Sequence, residues 1–121
     1  MAIKKILVVD DSPTDRHFFT VILTKSGYEV STAENADEAL AKAKKLKPDL
    51  VLMDVVMPGQ NGFQATRALN KDEATKSIPV IIVTSKNQET DKIWGMRQGA
   101  KDYIVKPVDQ AKLLAKIASL R

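Results

Sequence analysis

Five short strand-like runs recur along this chain, at residues 5–10, 28–32, 49–54, 79–84 and 102–105, with helix-like segments between them and after the last. Runs such as Ile6-Leu7-Val8-Val9 and Leu50-Val51-Leu52-Met53 are continuous rather than alternating, the pattern of strands covered on both faces. Strands that alternate with helices predict a parallel sheet with right-handed crossovers. Five such units fit a doubly wound α/β fold, a five-stranded parallel sheet of order 2-1-3-4-5 with five helices. In that order strands one and three are neighbours across the switch point, where open α/β sheets bind ligands.

The helix boundaries are marked by residues suited to end a helix. Ser12 can cap a helix with Pro13 at its first position, while Asn35 with Glu38 and Asn61 with Gln64 resemble capping boxes. Gly27 and Gly99 follow helical segments, where a left-handed C-cap favours glycine, and Pro48 and Pro79 punctuate the approaches to strands three and four. In the first helix, about 13–26, Phe18, Phe19, Ile22 and Leu23 form a stripe expected to face the sheet. The fourth, 88–98, has only Ile93, Trp94 and Met96 as large apolar groups. They cannot all point inward, so part of this helix is expected to show apolar surface.

A chain of 121 residues is expected to be a single domain, 1–121, burying about two-thirds of its unfolded surface. It has no cysteine, which excludes disulfides and thiol chemistry, and no apolar stretch near the roughly 20 residues that span a bilayer. The expectation is a cytoplasmic protein without membrane insertion. The net charge of +4 raises nucleic acid as a partner, but Lys42, Lys44, Lys45 and Lys47 lie on or just after a helix whose apolar face is Ala36, Ala39, Leu40, Ala43 and Leu46. They read as its solvated side, no aromatic residues interleave with them, and no nucleic-acid partner is expected.

The chemistry-bearing residues sit at strand ends. Asp10 and Asp11 end the first run and Asp54 the third; Thr84 ends the fourth, and Lys106 follows the fifth, ahead of Pro107. If strands one and three are adjacent, their three carboxylates converge. Two such charges 4 Å apart repel by about 4 kcal/mol at an effective dielectric near 20, so the cluster needs a cation. A hard ion such as Mg2+ takes oxygen ligands and keeps some of its waters. A carboxylate beside it can act as nucleophile toward phosphorus, giving an acyl phosphate. Lys106 and Thr84 suit the remaining equatorial oxygens of a transferring phosphoryl group. His17, with no second histidine or cysteine, reads as a helix-face residue rather than a ligand.

Val8-Val9-Asp10-Asp11-Ser12, Leu52-Met53-Asp54-Val55-Val56-Met57-Pro58-Gly59-Gln60-Asn61-Gly62, Ile82-Val83-Thr84-Ser85 and Asp102-Tyr103-Ile104-Val105-Lys106-Pro107 together resemble the receiver domain of bacterial two-component response regulators, over essentially the whole chain. The resemblance implies a flavodoxin-like receiver fold with Asp54 as the acceptor of phosphate from a histidine kinase. It implies that Asp10, Asp11, Asp54 and the backbone carbonyl of Val56 hold Mg2+, that Thr84 and Tyr103 form a switch pair, that Lys106 contacts the phosphoryl group, and that the Lys106–Pro107 bond is cis. The downstream protein target would meet the face of helix four, strand five and helix five. Asn61-Gly62-Phe63-Gln64-Ala65-Thr66-Arg67 and Trp94-Gly95-Met96-Arg97-Gln98-Gly99-Ala100 further resemble small stand-alone receivers of type IV pilus, twitching-motility systems.

Two residues near the site bear on alternatives. An aspartate-nucleophile, Mg2+-dependent phosphatase wants a second acid two residues beyond the nucleophile, and that residue here is Val56. A nucleotide- or flavin-binding protein wants a glycine- or hydroxyl-rich loop after strand one, where Asp10-Asp11-Ser12-Pro13 stands instead. A phosphorylation-independent binding module is the remaining alternative. Lys86, two residues after Thr84, adds a cation near the entrance of the site.

Overall fold

A computed structural model describes residues 3–57, 59 and 61–120. Pro58 and Gln60 of the third-strand motif lie outside the described residues. The elements run β1 (Lys5–Val9), α1 (Pro13–Lys25), β2 (Glu29–Ala33), α2 (Ala36–Leu46), β3 (Leu50–Met53), α3 (Gly62–Lys71), β4 (Val80–Thr84), α4 (Glu89–Arg97), β5 (Asp102–Val105) and α5 (Gln110–Ser119). The five strands form one sheet of order β2-β1-β3-β4-β5, and every pairing is parallel. This is the expected doubly wound topology. In the β1–β3 register Val9 lies opposite Met53, which brings the residues that follow both strands to the same edge.

Period-two alternation splits the core. Leu7, Val9, Val51, Met53 and Val80 face the alanine-rich side of α2 and Ala65 and Leu69 of α3, while Ile6, Val8, Leu50, Leu52, Ile81 and Val83 face Phe19, Ile22 and Leu23 of α1 and Leu113 and Ile117 of α5. Alanines on α2 let that helix lie close to the sheet. A third, smaller cluster of Val55, Phe63, Ile82 and Ala100 packs beside Tyr103, under α4.

The helix termini follow the capping residues. Ser12 Oγ accepts from the Asp15 amide at 3.2 Å, Asn35 Oδ1 from the Glu38 amide at 2.9 Å, and Asn61 with Gln64 forms a reciprocal capping box with both bonds at 3.0 Å. Gly27 (φ 94°) and Gly99 (φ 103°) turn the chain out of α1 and α4. At the first, the amides of Gly27 and Tyr28 close onto the carbonyls of Thr24 and Leu23, so Tyr28 completes the helix end and β2 starts one residue later than the expected strand 28–32. The Lys106–Pro107 bond is cis.

Several face assignments differ from expectation. Phe18 is 40% exposed and meets Phe19 edge to face at 5.3 Å, because adjacent helix positions diverge by about 100° and only one of the pair can face the sheet. Leu46, in the last turn of α2, is also exposed. Of the lysines assigned to solvent, Lys44 is paired with Asp72 at 2.8 Å and Lys42 donates to the Thr32 carbonyl. On α4 all three large apolar residues are about half exposed, and the buried position is Gly95. A Cβ there would lie 2.8 Å from Ile82 Cδ1 and 3.0 Å from Tyr103 Cδ2. Absence of a side chain is what seats this helix.

Candidate functional site

The carboxyl edge of the sheet gathers the acidic and basic residues at its strand ends. Asp10 follows β1, Asp54 follows β3, Thr84 closes β4 and Lys106 follows β5. Asp10, Asp11 and Asp54 each offer a carboxylate oxygen within 4.8 Å of the others. Asp10 and Asp54 are buried, at 2% and 6% exposure, while Asp11 opens to solvent.

The backbone of β1 and β3 sets these positions. The Asp10 amide donates to the Ala33 carbonyl at 3.0 Å and the Asp54 amide to the Val9 carbonyl at 2.9 Å, so the ladder continues one residue past each strand. Asp10 Oδ1 accepts from the Ser12 amide at 2.9 Å, and the Asp10 carbonyl accepts from Arg16 at 2.7 Å. Past Asp54, the Val56 amide donates to Asp54 Oδ1 at 3.3 Å and the Gly62 amide to the Val55 carbonyl at 3.0 Å. Gly62 permits this closure. A Cβ on it would stand 2.0 Å from the Asp54 carbonyl oxygen.

One ammonium serves the acids. Lys106 Nζ lies 2.8 Å from Asp10 Oδ2, 2.8 Å from Asp15 Oδ2 and 3.7 Å from Asp54 Oδ2. Three carboxylates therefore share this one ammonium, and Asp54, the most distant of them, feels the balance. Burial pushes its carboxyl above the usual range and the Asp10 charge adds to this, against the Lys106 charge and hydrogen bonds from the Thr84 hydroxyl and the Val56 amide. For Lys106 burial acts downward, but hydrogen bonds to Asp10 and Asp15 and the Asp54 charge prevail and raise it. A converged, oxygen-only donor set with excess negative charge, two of its acids buried and Asp11 open to solvent, fits a hard divalent cation such as Mg2+.

The site extends toward the sheet edge through Thr84 and Tyr103. Thr84 is fully buried, and its hydroxyl is 3.5 Å from the Lys86 amide. The half-buried Tyr103 ring directs its hydroxyl to the Lys86 carbonyl at 2.9 Å. Burial, with the charges of Asp91 and Asp54, pushes that phenol up to about 12, so it stays a protonated donor at neutral pH. Val56 is 51% exposed beside the acids.

Asp10, Asp11, Asp54, Thr84 and Lys106 stand at this edge, with Val56 just beyond Asp54, and Tyr103 reaches toward it from within β5 through its hydroxyl. Three further contributors had no local signature. Asp15 resembles an ordinary acid in a first helical turn, its partner being 91 residues away. Arg16 also reaches the site by side-chain length alone. Gly62 follows an N-cap and gave no sign of packing on the Asp54 carbonyl.

Comparison with known proteins agrees with this architecture. The family described as response regulator receiver domain matches residues 6–118. Protein PilH of Pseudomonas aeruginosa is 60% identical over 113 residues, covering 93% of both chains. Phosphate regulon transcriptional regulatory protein PhoB of the same species is 42% identical over 97% of this chain, which spans about half (51%) of that relative. The structure of chemotaxis protein CheY4 of Vibrio cholerae superposes with a TM-score of 0.89 at 36% identity, covering 96% of this chain and 97% of that one. Matched in sequence from β1 into α5 and in topology strand for strand, the chain belongs to the response regulator receiver domain family.

Proposed function

We propose that this protein is a phosphorylation-driven switch in which Asp54 takes a phosphoryl group from a histidine kinase. The observation that carries this reading is the convergence of Asp10, Asp11 and Asp54 within 4.8 Å, with the Lys106 ammonium 3.7 Å from Asp54. An Asp54 carboxylate oxygen forms the new O–P bond as the P–N bond of the donor phosphohistidine breaks, and the departing imidazole keeps the bonding pair and takes up a proton. Asp10, Asp11, Asp54 and the Val56 carbonyl would hold Mg2+, which when bound neutralises charge on a phosphoryl oxygen. Lys106 is placed to cover a second oxygen and the Thr84 hydroxyl a third.

Signalling then uses the path from Thr84 to α4. A hydroxyl drawn toward the phosphoryl group leaves room for the Tyr103 ring, whose tether to the Lys86 carbonyl and contact with Gly95 link it to the outer face. Ile93, Trp94 and Met96, all about half exposed, make α4, β5 and α5 the face offered to a downstream protein. Likeness to pilus-system receivers and the 60% identity to PilH support a place in type IV pilus, twitching-motility signalling. The protein in this reading assists its own phosphorylation and dephosphorylation and turns over no other substrate; Val56 offers no general acid.

The test is intact mass after incubation with a small phosphodonor and Mg2+. One phosphoryl group is expected on the wild type and none on Asp54→Asn. Equal labelling of both removes Asp54 as acceptor, and sustained phosphate release from unrelated monoesters supports the phosphatase instead.

A further inference from the structure

Lys106 makes one short contact that phosphoryl transfer does not require. Its ammonium has three protons, and two are directed at Asp10 and Asp15, both at 2.8 Å, leaving Asp54 at 3.7 Å. The two short partners differ in freedom. Asp10 is 2% exposed and fixed through Ser12, whereas the Asp15 side chain is 38% exposed and, among the described residues, its carboxylate bonds only Lys106. Beside the pair opens a cavity of about 270 Å³ lined by Asp15, Phe18, Phe19, Lys106, Pro107 and Val108. Both side chains therefore have room to move.

We propose that Asp15 is a positioning residue that parks the Lys106 ammonium away from Asp54 in the resting protein and gives it up when a phosphoryl group, or a tetrahedral mimic of one, occupies Asp54. This rests on the reading of Asp54 as phosphoacceptor. The ammonium cannot keep its full contact with Asp15 and also close on a group attached to Asp54, so the two anions compete for one cation. Asp15 is the partner that yields, because water can replace the lysine at its exposed carboxylate and cannot at Asp10.

A plainer role exists for Asp15, that of an acid in the first turn of α1 complementing the helix dipole. That role predicts a loss of stability on neutralisation and no change in ligand affinity. Competition predicts a change of definite sign.

The test is a titration of the full chain with beryllofluoride in the presence of Mg2+, followed by fluorine NMR, for the wild type, Asp15→Asn, Asp15→Ser and Asp15→Glu. The neutral variants are expected to bind the mimic about two- to fivefold more tightly, the range for releasing a partly exposed ion pair. Asp15→Glu should stay near wild type. The gap between neutral and acidic forms should narrow in about 1 M salt, which screens an exposed pair. Equal or weaker binding by both neutral variants overturns the proposal. A wild type that does not bind the mimic at all removes the phosphoacceptor reading and this inference with it, a result distinct from equal binding by all four proteins.

Discussion

The centre of the sheet and its β5 edge are built to different standards. At the β1–β3 centre every residue from Ile6 to Val9 and from Leu50 to Met53 is at most 2% exposed, and the acids extend this packed ladder by one residue. At the β5 edge no residue of the strand is fully buried, and α4 buries only Gly95. The centre holds charges in a fixed geometry; the edge has few apolar contacts with which to resist displacement. A protein that must both hold a reactive cluster and report on it can separate the tasks in this way, because local stability follows buried apolar contact.

Paired core truncations would break that contrast most directly. Leu7→Ala is expected to lower unfolding stability by about 3 kcal/mol, read from the urea midpoint, since the fully buried centre cannot collapse onto the cavity. Next comes Gly95→Ala. Its methyl group would press on Ile82 and Tyr103, costing about 1–2 kcal/mol and displacing the Tyr103 resonances while those of β1 stay in place. A Gly95→Ala protein as stable as wild type would show that α4 is not seated through this residue.

A third prediction concerns charge. With a chelator present, Asp54→Asn should stabilise the protein at pH 7 by about 1 kcal/mol, the scale of relieving an active-site compromise. Burial raises the Asp54 carboxyl in the folded state, so the folded protein holds that proton more tightly than the unfolded chain does. Stability falls as pH rises from the unfolded value of 3.8 through the raised folded value, and the advantage of the asparagine disappears as pH drops to 3.8. Thermal melts of both proteins across pH check this, and a constant difference at all pH values would refute it. Smallest of all, Ile93→Ala and Met96→Ala should each change stability by less than about 0.5 kcal/mol, since both side chains are already about half in water. A cost comparable to Leu7→Ala would erase the distinction between the centre and the β5 edge.

Sequence reasoning reached the centre of the molecule better than its rim. Continuous aliphatic runs, caps and glycine stops carry local signals, and the switch-point rule turns them into a strand order that brings Asp10, Asp11 and Asp54 together. What escaped depends on distance or on phase. The Asp15–Lys106 pair joins residues 91 positions apart, and nothing near Asp15 distinguishes it from an acid serving the helix dipole. The face of α4 was only half legible, because three large apolar residues around a glycine invite the assumption that some of them pack. In the structure the glycine does, and Phe18 was misplaced for the same reason, that adjacent helical positions cannot share a face.

Gly95 has one more consequence. The indole of Trp94, the sole tryptophan of the chain, is joined by a single peptide bond to the residue against which the Tyr103 ring rests. Any shift of that ring passes to a chromophore already half in water, so the emission spectrum of the unlabelled protein should act as a built-in gauge of the state of its reactive centre.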